Sequence, residues 1–224
     1  GLMDPWVCAG GRAGHAMLLD FTAATATPVP LPDEAEWVVV ESGQRRSLAG
    51  SDYAARVAEC EAAAAVVGPL ARATPADLAG IRDPVLRRRA RHVVTECERV
   101  RSTAQSLASG DLVAAGRDMD ESHRSLAEDF EVSSQVLDQL VAELRGRPGV
   151  LGARLTGAGF GGCVVALCRR EALDIGSLAG LVEPGGPAVG ASPDERVAVA
   201  DGGGGVRRAW RVRPVDGTYA RGPG

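Results

Sequence analysis

The stretch LTGAGFGGC, residues 155–163, places four glycines in six positions between two apolar runs. Glycine adopts positive backbone φ angles at no steric cost, so this stretch predicts a loop with an almost bare backbone. Gly157, Gly159 and Gly162 satisfy the pattern G-x-G-x-x-G, which opens a helix in dinucleotide-binding proteins. Here the strand-like sequence CVVALC follows instead, and the Gly-Lys-Ser/Thr of a Walker A loop is missing. We therefore predict a glycine loop between two strands.

The residues alone leave two interpretations of this loop open. A hairpin connection would use the glycines only for their positive φ angles. A loop nearly without side chains would instead present several backbone amides to an anion, or let another backbone approach closely. The length of the loop favours the second interpretation, because residues 156–162 are more than the two residues that a tight hairpin turn needs.

Strand patterns occur towards both ends of the chain and helical patterns in the middle, which predicts the α+β class. Asp4-Pro5 begins a short helix, with Asp4 as its cap and in an extended conformation because proline follows it. The remaining expected elements are extended segments over 15–21, 27–32 and 36–42, helices over 51–67, 83–110, 111–126, 134–145 and 170–181, a short helix after Thr74-Pro75, strands over 150–156 and 163–168, and a closing hairpin around the glycines 202–205.

Composition excludes several classes of function. A net charge of −4 disfavours a nucleic-acid partner, and no apolar run approaches the ~18 residues that would span a membrane. All 25 basic residues are arginine, which excludes mechanisms that need a lysine of this chain. The five cysteines are scattered and never spaced as CxxC, which disfavours a zinc site and favours reduced thiols in a cytoplasmic protein.

Four segments, in order, resemble a known family. GARLTGAGFGGCVVAL (152–167) resembles the third conserved motif of the GHMP small-molecule kinases, and its phenylalanine points to the galactokinases. GLMD (1–4) resembles the family's GIMDQ, and SLAGSDYAARVAEC (47–60) resembles its S-x-Y-N-x-R-R-x-x-C segment. MDESHRSLAEDFEVSS (119–134) resembles N-E-S-H-x-S-L-R-D-D-F-E-V-S. The resemblance covers about residues 1 to 168.

The resemblance implies roles for residues near both ends of the chain. Asp4 would be the catalytic base at the anomeric hydroxyl of galactose, while Gly1 and Tyr53 would contact the sugar. The loop of Gly157, Ala158, Gly159, Gly161 and Gly162 would face the phosphates of ATP. His123, although it lies in a family segment, is expected to be a structural helix histidine.

The same family implies ATP and Mg²⁺ as cofactors, but two of its motifs do not occur in the sequence. These are the sugar-binding segment G-R-x-N-L-I-G-E-H-x-D-Y and the ATP-wrapping segment P-x-G-x-G-L-S-S-S-A, so no metal ligand is assigned to this chain. We expect residues 1–48 to be the end of an N-terminal, ribosomal-S5-like kinase domain. Residues 49–224 would form a ferredoxin-like GHMP C-terminal domain. The chain alone would be inactive, and the full-length protein is expected to be a monomer.

Departures from the family pattern keep other functions open. Pro5 replaces the glutamine after the catalytic aspartate, and Ala54 replaces the asparagine after Tyr53. These changes, with the missing motifs, suit a degenerate module that binds a sugar or regulates without catalysis. A third alternative is a GHMP kinase for another sugar or alcohol, because the resemblance implies that sugar specificity lies largely in the segment that does not occur here.

Overall fold

The protein is an α+β structure, as predicted, with helices in the middle of the chain and strands before and after them. The computed structural model describes residues 3–44, 50–174, 178, 196–199, 207–212 and 214. In chain order the elements are α1 Met3–Gly10, β1 His15–Asp20, β2 Thr25–Pro30, β3 Ala35–Glu41, α2 Gly50–Val67, a 3₁₀ turn Asp77–Gly80, α3 Pro84–Ser109, α4 Leu112–Glu128, α5 Gln135–Arg145, β4 Val150–Thr156, β5 Cys163–Arg169, β6 Arg196–Val199 and β7 Arg207–Val212.

The capping residues read from the sequence start and stop the long helices. The Asp83 carboxylate accepts the N–H groups of Val85 and Leu86 at the start of α3. Gly110 ends α3 with a φ of 80°, a left-handed conformation that glycine adopts freely. Asp111 caps α4 and Ser134 caps α5 in the same way as Asp83.

Two local expectations are wrong. α1 begins at Met3, so Asp4 lies in its first turn with helical backbone, neither capping the helix nor extended. Residues 170–174 form turns rather than the start of a helix. The other residues expected in that helix, apart from 178, and the glycines 202–205 of the expected closing hairpin lie outside the described residues.

A five-stranded antiparallel sheet with the order β4-β5-β3-β7-β6 forms one layer of the fold. β3 is hydrogen-bonded between β5 and β7, although more than a hundred residues separate it from either in the chain. β1 and β2 make a separate antiparallel hairpin, which contacts α3. The predicted division at residues 48 and 49 stays a prediction, and β3 lies on its N-terminal side.

Helix α4 lies against the edge strand β4 with glycine facing glycine. A Cβ added to Gly152 would lie 2.1 Å from the carbonyl oxygen of Gly116, so only hydrogen fits at this crossing. Side chains of α4 also satisfy the outward amides of the edge strand. The Asp120 carboxylate accepts the N–H of Ala153 at 3.0 Å, and Nδ1 of His123 accepts that of Leu155 at 3.3 Å.

Three apolar clusters hold the layers together. The largest packs α5 and the end of α4 on one face of the sheet, around Leu137, Leu140 and Leu144. A second joins the β1–β2 hairpin to α3 and α4, and a third joins α2 to α3. No helix in the described part of the chain is both long and apolar enough to cross a membrane.

Candidate functional site

The glycine loop joins β4 to β5 and has a run of left-handed residues. Gly159, Phe160, Gly161 and Gly162 have φ angles of 81°, 57°, 120° and 91° in succession. Phe160 is the one residue of this run that is not glycine, and such a residue rarely has a positive φ angle. Its side chain packs against the largest apolar cluster. The strand–loop–strand arrangement predicted from the sequence is therefore confirmed.

Two other segments hold the loop from opposite sides. The N–H of Phe160 donates to the carbonyl oxygen of Val132 at 2.7 Å, in the connection between α4 and α5. Gly162 exchanges hydrogen bonds with the segment after β3, because its N–H donates to Gln44 at 3.0 Å and its carbonyl accepts from Ser42 at 2.8 Å. A Cβ on Gly159 would lie 2.2 Å from the Val132 oxygen. The close backbone approach foreseen for such a loop therefore occurs at Gly159.

The beginning of the loop leaves backbone donors available. Gly157 and Ala158 are exposed, and neither N–H donates to an acceptor among the described residues. The N–H of Gly159 likewise has no acceptor in that part of the chain. Successive amides of this kind form a concave site for an anion, which requires no charged side chain. The loop is thus chemically able to hold a phosphate oxygen.

The residues predicted to contact the sugar occupy two separate helices. Asp4 is exposed on α1, which contacts the β1–β2 hairpin through Trp6 and Phe21, whose ring centroids are 5.6 Å apart. Tyr53 is 56% exposed in the first turn of α2. Gly1 lies outside the described residues. Within the described chain no hydrogen bond joins Asp4 to Tyr53 or to the glycine loop.

Sequence reasoning missed a buried arginine near the loop. Arg89 of α3 is 2% exposed, and its three guanidinium nitrogens each donate at 2.6 Å, to the Glu59 carboxylate, the Glu131 carboxylate and the Asp129 carbonyl. Burial disfavours the charge of Arg89, but the hydrogen bonds and charges of Glu131 and Glu59 outweigh this effect and raise its pKa.

Arg89 in turn stabilises the ionised carboxylates of its two partners, Glu59 and Glu131. The hydrogen bond from Arg89 lowers the pKa of Glu131 despite some burial. At Glu59 burial opposes ionisation, but Arg89 and Arg56 outweigh it and lower the pKa. Glu59 and Glu131 lie in two of the family-like segments, so a signal for this cluster was present in the sequence. Arg89 itself gave none, because α3 was interpreted only through its apolar face.

Histidines and cavities elsewhere do not add to this site. His123 contacts β4 and Asp138, and burial lowers its pKa, which agrees with the expected structural role. A cavity of about 190 Å³ lies under the β1–β2 hairpin against α3 and α4, and its lining includes neither Asp4, Tyr53 nor the glycine loop. In the described ranges no three His, Cys, Asp or Glu side chains are grouped to hold a metal ion. None of the five cysteines forms a disulfide.

Comparison with known proteins gives consistent matches. The family model described as "GHMP kinases C terminal" matches residues 103–176. The chain is 44% identical over 184 residues to a galactokinase of Chloroflexus aurantiacus, covering 78% of this chain and 47% of that protein. It is also 44% identical over 178 residues to the galactokinase of Homo sapiens, covering 77% and 45%.

A solved structure agrees with these sequence matches. The structure of Lactococcus lactis galactokinase complexed with galactose superposes with a TM-score of 0.72 at 31% identity, covering 76% of this chain and 47% of that chain. The chain thus spans about half the length of the relatives that it matches.

Proposed function

We propose that this chain takes part in a galactokinase reaction. The proposal starts from the match of residues 103–176 to the GHMP kinase C-terminal family and from the similarity of the chain to galactokinases. That reaction transfers the γ-phosphoryl group of ATP to the 1-hydroxyl of galactose and yields galactose 1-phosphate. The observation that carries the proposal is the glycine loop, whose exposed Gly157 and Ala158 have N–H groups without acceptors among the described residues.

On the nucleotide side, the loop amides would donate to phosphate oxygens of ATP. Phosphoryl transfer depends mainly on positioning and on stabilising the charge of the transferred group, and rigid backbone donors contribute to both. ATP supplies the phosphoryl group when it is bound. The described residues offer no carboxylate cluster for Mg²⁺, so no step of the proposed reaction is assigned to that ion.

On the sugar side, the Asp4 carboxylate would accept the proton of the 1-hydroxyl as the phosphoryl group is transferred. Asp4 is exposed and makes no ion pair within the described chain, so its carboxylate is available to a substrate. Tyr53 and Gly1 would contact the sugar, as the family resemblance implies. The proposed location is the cytoplasm, because the scattered spacing of the five cysteines is typical of thiols that stay reduced.

The test is the ATP-dependent phosphorylation of galactose by the full-length protein that contains this chain. We expect Asp4→Asn to lower kcat by about 10²-fold or more, because the amide accepts no proton, while galactose still binds. Asp33→Asn is the matched control, since Asp33 is exposed in the turn between β2 and β3. A full-length protein without phosphorylating activity, or an Asp4→Asn variant with wild-type kcat, contradicts the proposal.

A second candidate is a module that binds a sugar without catalysis. Pro5 and Ala54, which replace family residues beside Asp4 and Tyr53, favour it. Calorimetric titration of the full-length protein separates the two candidates. Galactose binding without ATP turnover supports the module, whereas turnover supports the kinase. Turnover of a different sugar in a substrate panel would assign the protein to a kinase of other specificity.

A further inference from the structure

We propose that Arg89 is a positioning residue that couples the sugar-side helix α2 to the phosphate-side glycine loop, an inference that rests on the proposed kinase function. Arg89 contacts neither substrate in this proposal. It acts through the segment of residues 129–132, which we call the bridge segment and which lies between α4 and α5. Of the elements with proposed substrate contacts, α2 and the glycine loop are both tied to this segment.

The first tie runs from the bridge segment to α2. Nε of Arg89 donates to Glu59, and Glu59 also accepts from Arg56 at 2.8 Å. Arg56 in turn donates to the backbone carbonyl of Glu131 at 3.4 Å. Arg56 lies three residues after Tyr53, so the anchored turn of α2 is the turn next to that tyrosine.

The second tie runs from the bridge segment to the glycine loop. Arg89 donates to the backbone carbonyl of Asp129 and to the carboxylate of Glu131. Glu131 has a φ of 54°, so it is a left-handed residue other than glycine. The next carbonyl, that of Val132, accepts the N–H of Phe160 and lies against Gly159. The backbone conformation of Glu131 therefore sets the position of the Val132 carbonyl, and through it the position of the glycine loop.

The chemistry of arginine suits this role. Its planar guanidinium holds several donors in a fixed geometry, whereas a lysine ammonium is a point charge on a flexible stem. The three bonds of Arg89 reach one residue of α2 and two of the bridge segment. Loss of Arg89 therefore removes a common anchor, and both substrate-side elements should loosen together. A purely structural arginine would instead change the stability of the whole protein.

Hydrogen–deuterium exchange of the full-length protein tests this coupling without any activity. In Arg89→Met we expect the hydrogen-bonded amides of these two segments, residues 54–60 of α2 and Phe160 and Gly162 of the loop, to exchange about tenfold faster, because both segments lose their anchor. Amides of residues 164–167, in the middle of the sheet, should keep their wild-type rates. Arg124→Met is the matched control, because Arg124 makes an exposed ion pair with Glu121 on α4; it should change neither segment.

The exchange rates of these segments either support the coupling through Arg89 or overturn it. Wild-type exchange in either segment, or equal acceleration in residues 164–167, overturns it. Where Arg89→Met does not fold, Arg89→Lys is used, and the same local acceleration is expected because one ammonium cannot replace the three directed bonds. Wild-type exchange in a folded Arg89→Lys variant also overturns the coupling.

Kinetics provide a second readout that separates this proposal from the proposed function. We expect Arg89→Met to raise KM for both ATP and galactose about fivefold or more, because α2 and the loop are displaced together. Arg124→Met should keep both constants. An inactive wild-type protein contradicts the kinase function, while the exchange data still decide whether Arg89 couples the two elements. An increase in only one of the two KM values overturns the coupling.

Discussion

His92 of α3 is a core residue, although histidine is a residue type that often transfers protons in enzymes. Its Nδ1 lies 2.9 Å from the hydroxyl oxygen of Ser125, and its ring stacks on Phe130 with centroids 4.4 Å apart. Burial lowers the pKa of His92 from its usual 6.5 to about 4. At neutral pH the ring is therefore uncharged and serves packing.

The depressed pKa of His92 predicts a loss of stability in acid. The unfolded chain binds the proton near pH 6.5 and the folded chain only near pH 4, so acid favours unfolding between these values. This histidine alone should lower the free energy of unfolding by about 3 kcal/mol over that interval. In urea unfolding, His92→Gln should remove this part of the pH dependence, whereas His15→Gln should retain it. Equal pH profiles for wild type and His92→Gln contradict this assignment.

At the scale of elements, the contact of α4 with β4 determines how closely the helical layer approaches the sheet. Gly116 and Gly152 face each other there, and a Cβ on Gly116 would lie 2.3 Å from the carbonyl oxygen of Leu151. The close approach brings Asp120 and His123 within reach of the amides of β4. Burial raises the pKa of Asp120, although the N–H of Ala153 and the nearby Arg145 oppose that shift.

Substitution of either glycine should separate the two elements. We expect Gly152→Ala to destabilise the protein by about 3 kcal/mol or more, because the new methyl group meets backbone atoms that cannot rotate away. Gly146→Ala is the matched control, since its Cβ would find ordinary contacts at 3.5 Å and its φ is −75°. Thermal unfolding measures both variants. A Gly152→Ala variant as stable as Gly146→Ala contradicts the proposed crossing.

The boundaries of most elements were predictable from the sequence because local residues set them. Asp83, Pro84 and Gly110 start and end α3 through backbone caps that act within one turn. The start of α1 was misjudged by two residues, since Asp4 was expected to cap a helix that begins at Met3, and the segment expected to form a helix after β5 begins with turns. The order of the strands was not predictable. β3 pairs with strands far along the chain, and its own residues hold no local signal that identifies those partners.

At the scale of the whole molecule, the distribution of motifs predicts that the 224-residue chain alone is inactive. The sequence contains the glycine loop and Asp4 but not the family's ATP-wrapping segment. Phosphoryl transfer needs the phosphates held from several sides, and one loop holds them from one side only. A coupled assay of ADP formation with galactose and ATP should remain at background for the purified chain. Galactose-dependent ADP formation by this chain contradicts the prediction.

The sequence by itself determined the α+β class, the strand–loop–strand setting of the glycines and the family resemblance. These depend on local patterns: backbone caps, hydrophobic periodicity and positive φ angles at glycine. Only the tertiary structure decided that Val132 meets Gly159 and that Arg89 joins Glu59 to Glu131. Both contacts depend on how distant segments of the chain pack together, and the second also depends on the buried charge of Arg89. The hydrogen bonds that compensate for burying that charge come from residues 30 to 42 positions away.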